Sequence, residues 1–228
     1  MIERAACLVA TLATAALLAV AVPAAAEDTS ACIVGGEAWR AGKAQEAIDS
    51  FTVCIEQGDL EPATMASALA SRANVLRISG AIAHSISELN KALEIEPDHV
   101  GALFGRANAW FDMRALDQSM ADFDHVIAVQ PDLGEAYFGR ANVKSAEQDY
   151  AGAIADYDQA LALQPGDPFA LTNRGWAKLS LGDYEGALAD FDAAIVIKPN
   201  HVLAFIDRAW LRYLQGSFAE GLVDAEHA

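Results

Sequence analysis

Positive charge is scarce in this chain. Fifteen Lys and Arg stand against 32 Asp and Glu, a formal net charge of −17. Residues 1–26 hold one charge of each sign, so the remainder keeps the whole imbalance. Such a field repels nucleic acid and anionic membrane surfaces, and nucleic acid is not an expected partner. Cysteine is equally sparse, at Cys7, Cys32 and Cys54. None of the three forms a Cys-x-x-Cys pair or has further ligands at metal spacing, which leaves a redox or zinc role without support. Also missing are a Gly-rich phosphate loop, His-Glu-x-x-His, Gly-x-Ser-x-Gly, and any Ser/His/Asp or Cys/His arrangement. The five histidines are scattered; His99 and His201 fall in equivalent turns, where solvation is expected. Asp190 and Asp192 lie two apart on a helix and do not share a face. The chain reads as a non-enzyme with no cofactor and no metal.

A long apolar run lies at the N-terminus. Arg4 precedes the stretch from Ala5 to Val22, and Ala24-Ala-Ala26 offers small residues before Glu27. That is the pattern of a secretory signal peptide over residues 1–26. An uncleaved anchor is the alternative, because 18 residues nearly span a bilayer. Alanine richness and the Ala-x-Ala ending favour cleavage after Ala26. No lipid-attachment cysteine follows closely. The expected product is a periplasmic or otherwise secreted protein without membrane insertion after cleavage.

Of seven prolines, four fall at one spacing: Pro97, Pro131, Pro165 and Pro199, each 34 residues after the last. Their approaches agree too, as in Lys91-Ala-Leu-Glu-Ile-Glu-Pro97 and Gln159-Ala-Leu-Ala-Leu-Gln-Pro165. With the proline at position 32, units run 66–99, 100–133, 134–167 and 168–201, then a shortened 202–228. Position 8 is Ala73, Ala107, Ala141, Gly175 and Ala209; position 20 is Ser85, Ser119, Ala153, Ala187 and Gly221. Small residues there let two helix backbones approach closely. Leu89, Phe123, Tyr157 and Phe191 at position 24 can fill the seam. Tyr184, Ala187, Leu188, Phe191, Ala194 and Ile195 follow helical spacing. Gly80, Gly182 and Gly216 at position 15 break each unit into two helices, and the proline ends the second. Each unit then buries its apolar face only against its neighbours.

On these residues the chain resembles the tetratricopeptide repeat family. The best match is Leu171-Thr-Asn-Arg-Gly175, Gly182-Asp-Tyr184, Ala187-Leu188, Phe191, Ala194-Ile195 and Pro199. The resemblance covers about residues 66–228, with a degenerate unit at 28–62 before them. It implies an all-α fold, a right-handed α-solenoid of stacked helix-turn-helix repeats, forming a single domain over residues 27–228. Departures exist: position 15 is Arg114 and Gln148 in two units, and position 11, usually large and apolar, is Lys144 and Lys178. Position 7, leucine-like in the family, is Arg72, Arg106, Arg140, Arg174 and Arg208.

An acid lies sixteen residues after each of these arginines: Glu88, Asp122, Asp156, Asp190 and Asp224. Antiparallel helices of one unit could join each pair through a charge-assisted contact. The other reading is an arginine ladder for an anionic ligand. Pairing within the unit is favoured, because the acid recurs as faithfully as the base. More acids, including Asp124, Asp158 and Asp192, mark the second helices, which face outward in proteins of this kind. A solvated acidic face is favoured over a docking surface for a basic partner.

In the first unit, Gly42 at position 15 puts Cys32 at position 5 and Cys54 at position 27, side by side on antiparallel helices. An oxidising compartment would allow a disulfide there; two buried thiols are the alternative. The second helix of the final unit, about Phe218 to Ala228, is short, with Glu220, Asp224 and Glu226. It reads either as a solvating cap or as an open end that pairs with another chain.

By the resemblance, ligands bind in a concave groove lined by positions 2, 5, 9 and 12 of the first helices. Those positions supply Asn74, Phe104, Asn108, Phe111, Phe138, Asn142, Phe169, Trp176, Ile206 and Trp210, joined by Arg77, Leu203 and Tyr213. Aromatics give contact area at small entropic cost, and asparagines can bond a peptide backbone. The alternative buries some of these aromatics between units. Position 5 lacks the lysines of a carboxylate clamp, so an apolar peptide or a partner helix fits better. The expected function is an exported protein-interaction scaffold with a protein or peptide partner; the alternative is a structural module that self-associates through its C-terminal end.

Overall fold

The computed structural model describes residues 30–57 and 60–228. The expected signal peptide lies outside the described residues. Among them the chain forms helices and no strand: α1 (Ser30–Arg40), α2 (Ala44–Glu56), α3 (Pro62–Ile78), α4 (Ile82–Ile95), α5 (Val100–Asp112), α6 (Leu116–Val129), α7 (Gly134–Ala146), α8 (Tyr150–Leu163), α9 (Pro168–Ser180), α10 (Tyr184–Ile197), α11 (Val202–Leu214) and α12 (Phe218–His227). They fall into two compact units, one ending at Val129 with α1–α6, the other from Gln130 with α7–α12. Odd and even helices pair as hairpins within each repeat. One boundary differs from the 34-residue frame: α3 starts at Pro62 rather than Ala66, because proline at the first helical position loses no hydrogen bond.

Every hairpin turn closes alike. The residue after position 15 donates its backbone N–H to the carbonyl five residues back, as in Ala81 to Leu76 (2.8 Å) and Asp183 to Lys178 (3.0 Å). The residue at position 15 must then take a positive φ, which glycine adopts without a steric penalty. Gly80, Gly182 and Gly216 do so, and Arg114 and Gln148 are forced to φ 62° and 67°.

Seams between paired helices are lined as the repeat pattern implies. Ala107, Ser119, Ala141, Ala153 and Ala187 are fully buried, as are Leu89, Phe123, Tyr157 and Phe191. Close approach is obligatory at Gly175, where an added Cβ would stand 2.7 Å from the Phe191 ring. In the first hairpin Cys32 and Cys54 face each other with Cα atoms 5.3 Å apart, packed with Ala47 and Phe51.

The two turn histidines are buried, correcting the expectation of solvated side chains. The end of each second helix returns to the start of its first helix, so position 34 tucks beside position 2. His99 caps α5 by accepting from Ala102 N–H at 3.0 Å, and its Nε2 lies 3.0 Å from Ser67 Oγ. His201 meets Phe169 at Ser67's equivalent place, ring edge to face at 4.9 Å, and its Nε2 has no hydrogen-bond partner. Burial, with the nearby Lys198 charge, holds the His201 pKa below its ordinary 6.5; Asp167 and the Pro168 carbonyl oppose this only in part.

Candidate functional site

The position-7 arginines lie against the acids of their own units. Arg106, Arg140, Arg174 and Arg208 each bond Asp122, Asp156, Asp190 and Asp224 through Nε and Nη2, at 2.5–2.9 Å. Arg72 reaches Glu88 through the same two nitrogens. The remaining Nη1 turns to the second helix of the preceding repeat. Arg72 bonds Thr52 (3.0 Å), Arg106 Asn90 (2.8 Å), Arg174 Asp158 (2.6 Å) and Arg208 Asp192 (2.5 Å). Each of these four guanidiniums therefore ties two repeats together, and an anionic ligand would have to displace a carboxylate to bind.

Position 11 completes the lattice. Lys144 contacts Asp156 at 2.7 Å, Lys178 contacts Asp190 at 2.8 Å, and Arg212 contacts Asp224 at 2.8 Å. A cation there, unexpected against the family pattern, neutralises a carboxylate that one arginine holds on one side only. Burial alone would raise the Asp156 pKa, but hydrogen bonds and charge from Arg140 and Lys144 bring it below 3.8. Glu88 is likewise below 4.5, because Arg72 and Lys91 outweigh its burial. Asp190 in turn raises the Arg174 pKa, as Asp224 does that of Arg208. Sequence reasoning missed the contact with the preceding repeat. Its signal was the Asp-x-Asp pattern, Asp156-Tyr-Asp158 and Asp190-Phe-Asp192, which puts an acid sixteen residues before the next arginine as well as after its own. The second-helix acid is thus in large part consumed by structure: Asp122, Asp156, Asp190 and Asp224 are buried.

The first-helix asparagines serve the fold. Asn142 is buried, and its Oδ1 accepts from Tyr157 OH (2.6 Å) and Asn173 Nδ2 (3.0 Å), so it cannot offer that acceptor to a ligand. This corrects its expected place in the groove. Asn108 donates to the Phe104 carbonyl one turn back, at 2.8 Å. Asn74 presses against α5, where a Cβ on Gly105 would stand 2.8 Å from its Oδ1.

The aromatics divide. Phe104 and Phe138 are half-buried, their rings 5.8 and 5.9 Å from Phe123 and Tyr157 of the seams. Phe111 and Trp176 are also half-buried. Phe169 lies under the Lys198 ammonium at 4.5 Å. On α11 the same face is open: Ile206, Trp210 and Tyr213 are 45%, 48% and 56% exposed. Trp210 stacks on Tyr213, which meets Phe218 of α12, each pair 5.5 Å between ring centres. These side chains border a hollow of about 780 Å³ lined by small and apolar residues, among them Ala209, Gly221, Leu222 and Ala225. Phe218 and Leu222 were not among the expected site residues. Their acidic neighbours made α12 read as polar, yet the two stand four apart on one helical face.

Among the described residues no cluster of His, Cys, Asp or Glu could hold a metal ion, and no helix is long and apolar enough to cross a membrane. No curated protein matches the sequence significantly. Solved structures show the same fold. A tetratricopeptide repeat protein from Parabacteroides merdae superposes with a TM-score of 0.71 at 18% identity, over 87% of this chain and 77% of that one. A thermophilic tetratricopeptide repeat protein of Thermus thermophilus gives 0.65 at 18% identity, over 86% and 99%. YrrB, described as a tetratricopeptide repeat protein with an unusual peptide-binding site, gives 0.62 at 19% identity, over 79% and 91%. The fold is an all-α helical-repeat solenoid. The tetratricopeptide repeat family model matches residues 111–168, 138–202 and 172–226. These overlapping matches span more than half of the sequence: the chain belongs to the tetratricopeptide repeat family.

Proposed function

We propose that this protein is an exported, non-catalytic interaction scaffold whose first-helix faces take an apolar peptide or partner-protein segment. One observation carries the reading: Ile206, Trp210 and Tyr213 stand at i, i+4 and i+7 on α11 with about half of each side chain in water. Large apolar side chains held open on one helical face are what a recognition surface needs. Phe111, Phe169 and Trp176 would extend contacts of the same kind on other first helices. Asn74 and Asn108 would contribute surface rather than free hydrogen-bonding groups. A peptide-binding relative of the same fold, YrrB, supports this class of ligand. Position 5, occupied by Ala70, Phe104, Phe138, Thr172 and Ile206, offers no cation to a terminal carboxylate, so an internal apolar segment is favoured.

Export rests on the N-terminal pattern and agrees with a Cys32–Cys54 bridge, which would stabilise the first hairpin by about 3 kcal/mol. Thiol titration of the unfolded chain with and without reductant checks the bridge, and the N-terminal sequence of the protein recovered from its native host checks cleavage after Ala26. For the scaffold itself, proteins captured from an envelope extract by the wild type are compared with those captured by a Trp210→Ala/Tyr213→Ala variant of matched helicity. Partner loss with the variant is expected. Equal capture by both proteins would move binding away from the first-helix faces.

A further inference from the structure

We infer that the Cys32–Cys54 bridge is a redox latch on the first hairpin: a dithiol reductant opens α1–α2 locally and uncovers α3, while the later repeats stay folded. The inference rests on the bridge proposed above and is independent of first-helix recognition. It starts from a difference between this hairpin and the five that follow. Each of those joins its own two helices through the arginine at position 7 and the acid at position 23. In the first unit those places are Val34 and Ser50, and position 11 is Ala38, so no guanidinium–carboxylate pair can form there. The bridge stands at positions 5 and 27, where later repeats place Ala70 with Ala92, Phe104 with Val126 and Thr172 with Ala194. A covalent bond thus replaces an ordinary apolar contact in the one hairpin that lacks the charged pair.

The tie from this hairpin to the next repeat is weak as well. Position 25 gives the following arginine a carboxylate at Asp158 and Asp192, at 2.6 and 2.5 Å, but only a hydroxyl at Thr52, at 3.0 Å. A neutral acceptor holds a guanidinium about half as strongly as a charged one. The other contact is a small core in which Cys32, Cys54, Ala47 and Phe51 meet Ala68 and Val75 of α3. The α3–α4 hairpin does not depend on that cover. Arg72 keeps Glu88 through Nε and Nη2, and Glu88 also accepts from Lys91 at 3.0 Å. Each repeat of such an array contacts only its neighbours, so opening stops at α3. What it uncovers is an apolar strip, with Ala68 and Val75 now 3% and 1% exposed, beside the Arg72 Nη1 that Thr52 had held.

The exchange chemistry has one accessible entry. Cys54 is fully buried and Cys32 is 9% exposed, so a reductant thiolate attacks the Cys32 sulfur. A mixed disulfide forms there, and the Cys54 sulfur leaves with the bond's electron pair and takes a proton. The second thiol of the reductant then attacks its own sulfur in the mixed disulfide and releases Cys32 as a thiol. Two protein thiols and one oxidised dithiol result.

The test is amide hydrogen exchange on the full chain, oxidised and after native treatment with dithiothreitol, with the thiols counted by mass. Exchange in α1 and α2 is expected to become about a hundredfold faster on reduction, while α5–α10 keep their rates. A Cys32→Ser/Cys54→Ser variant is expected to match the reduced wild type without any reductant. Adding Thr52→Asp to that variant gives Arg72 a carboxylate and is expected to slow exchange in α1–α2 several-fold. If the double variant does not fold, the reduced wild type carries the test alone. A bridge that dithiothreitol leaves intact in the folded protein overturns the inference. So does unchanged exchange in α1–α2 after reduction, or an equal acceleration that extends through α10. A chain without the bridge when isolated under oxidising conditions overturns this inference and the bridge together. None of these outcomes touches Trp210 or Tyr213, so the proposed first-helix recognition stands or falls separately.

Discussion

The α9–α10 and α11–α12 hairpins share one plan and differ in what covers them. Both carry the arginine at position 7, its acid, and a second cation on that acid. In α9–α10, Thr172 and Leu179 are 1% and 7% exposed; their equivalents Ile206 and Tyr213 are about half exposed. The arginine, its acid and the second cation are thus independent of neighbours that follow, because all three lie within one hairpin. The apolar face has no such independence. An identical position is core in one repeat and open surface in the next: Thr172 and Leu179 where covered, the larger Ile206 and Tyr213 where open.

Breaking the two hairpins at matched places should give unequal losses. Phe191→Ala should cost about 3–5 kcal/mol in urea unfolding, since it empties a sealed seam, whereas Tyr213→Ala should cost well under about 1 kcal/mol. Similar losses for both would mean that the α11 face is covered in solution even in the monomer. Within the lattice, Asp190→Ala should cost about 3 kcal/mol, because it strands Lys178 and leaves Arg174 only the exposed Asp158. Asp192→Ala should cost about 0.5 kcal/mol, because that carboxylate is half in water. Equal costs would place the stabilisation in contacts between repeats rather than within them.

Acid should loosen the lattice in a definite window. Glu88 and Asp156 have folded pKa values below their ordinary 4.5 and 3.8, so their contribution is complete above those values. It is lost as pH falls through the folded values. His201, held below 6.5, adds a shallower loss that begins nearer neutrality, because the unfolded chain binds a proton that the folded one resists. A His201→Asn variant should flatten the urea-midpoint profile between about pH 7 and 5 and leave the steeper acid limb intact. An unchanged upper limb would remove His201 as its cause. The smallest effect is expected at the turns. Gln148→Gly should stabilise by up to about 1 kcal/mol by relieving a positive φ, while Gly182→Gln in the matched turn should destabilise by about the same.

Much of this molecule was legible from spacing. Pro97, Pro131, Pro165 and Pro199 placed the helix ends, and the small residues at positions 8 and 20 placed the seams. Arg106 and Asp122 could be paired because a fixed separation on two antiparallel helices is a fixed distance. The candidate site was less legible. Asn74, Asn108 and Asn142 form one column in sequence, yet the first presses on a glycine, the second bonds its own helix, and the third is buried between Tyr157 and Asn173. Their roles depend on the residue opposite, which changes from repeat to repeat. His99 and His201 diverge for the same reason, with Ser67 beside one and Phe169 beside the other.

By itself the sequence determined the repeat length, the two helices per unit, the turn that demands a positive φ, and the family. Those follow from local rules, namely backbone sterics, helical period and a proline that stops a helix, which need no knowledge of what lies across a seam. Only the tertiary structure decided that Arg72, Arg106, Arg174 and Arg208 bridge consecutive repeats, that the turn histidines are buried, and that Phe218, Leu222 and Trp210 border one open hollow. Burial and hydrogen bonding are properties of both partners in a contact, and the second partner, here some 16 or 34 residues away, comes within reach only when the hairpins stack.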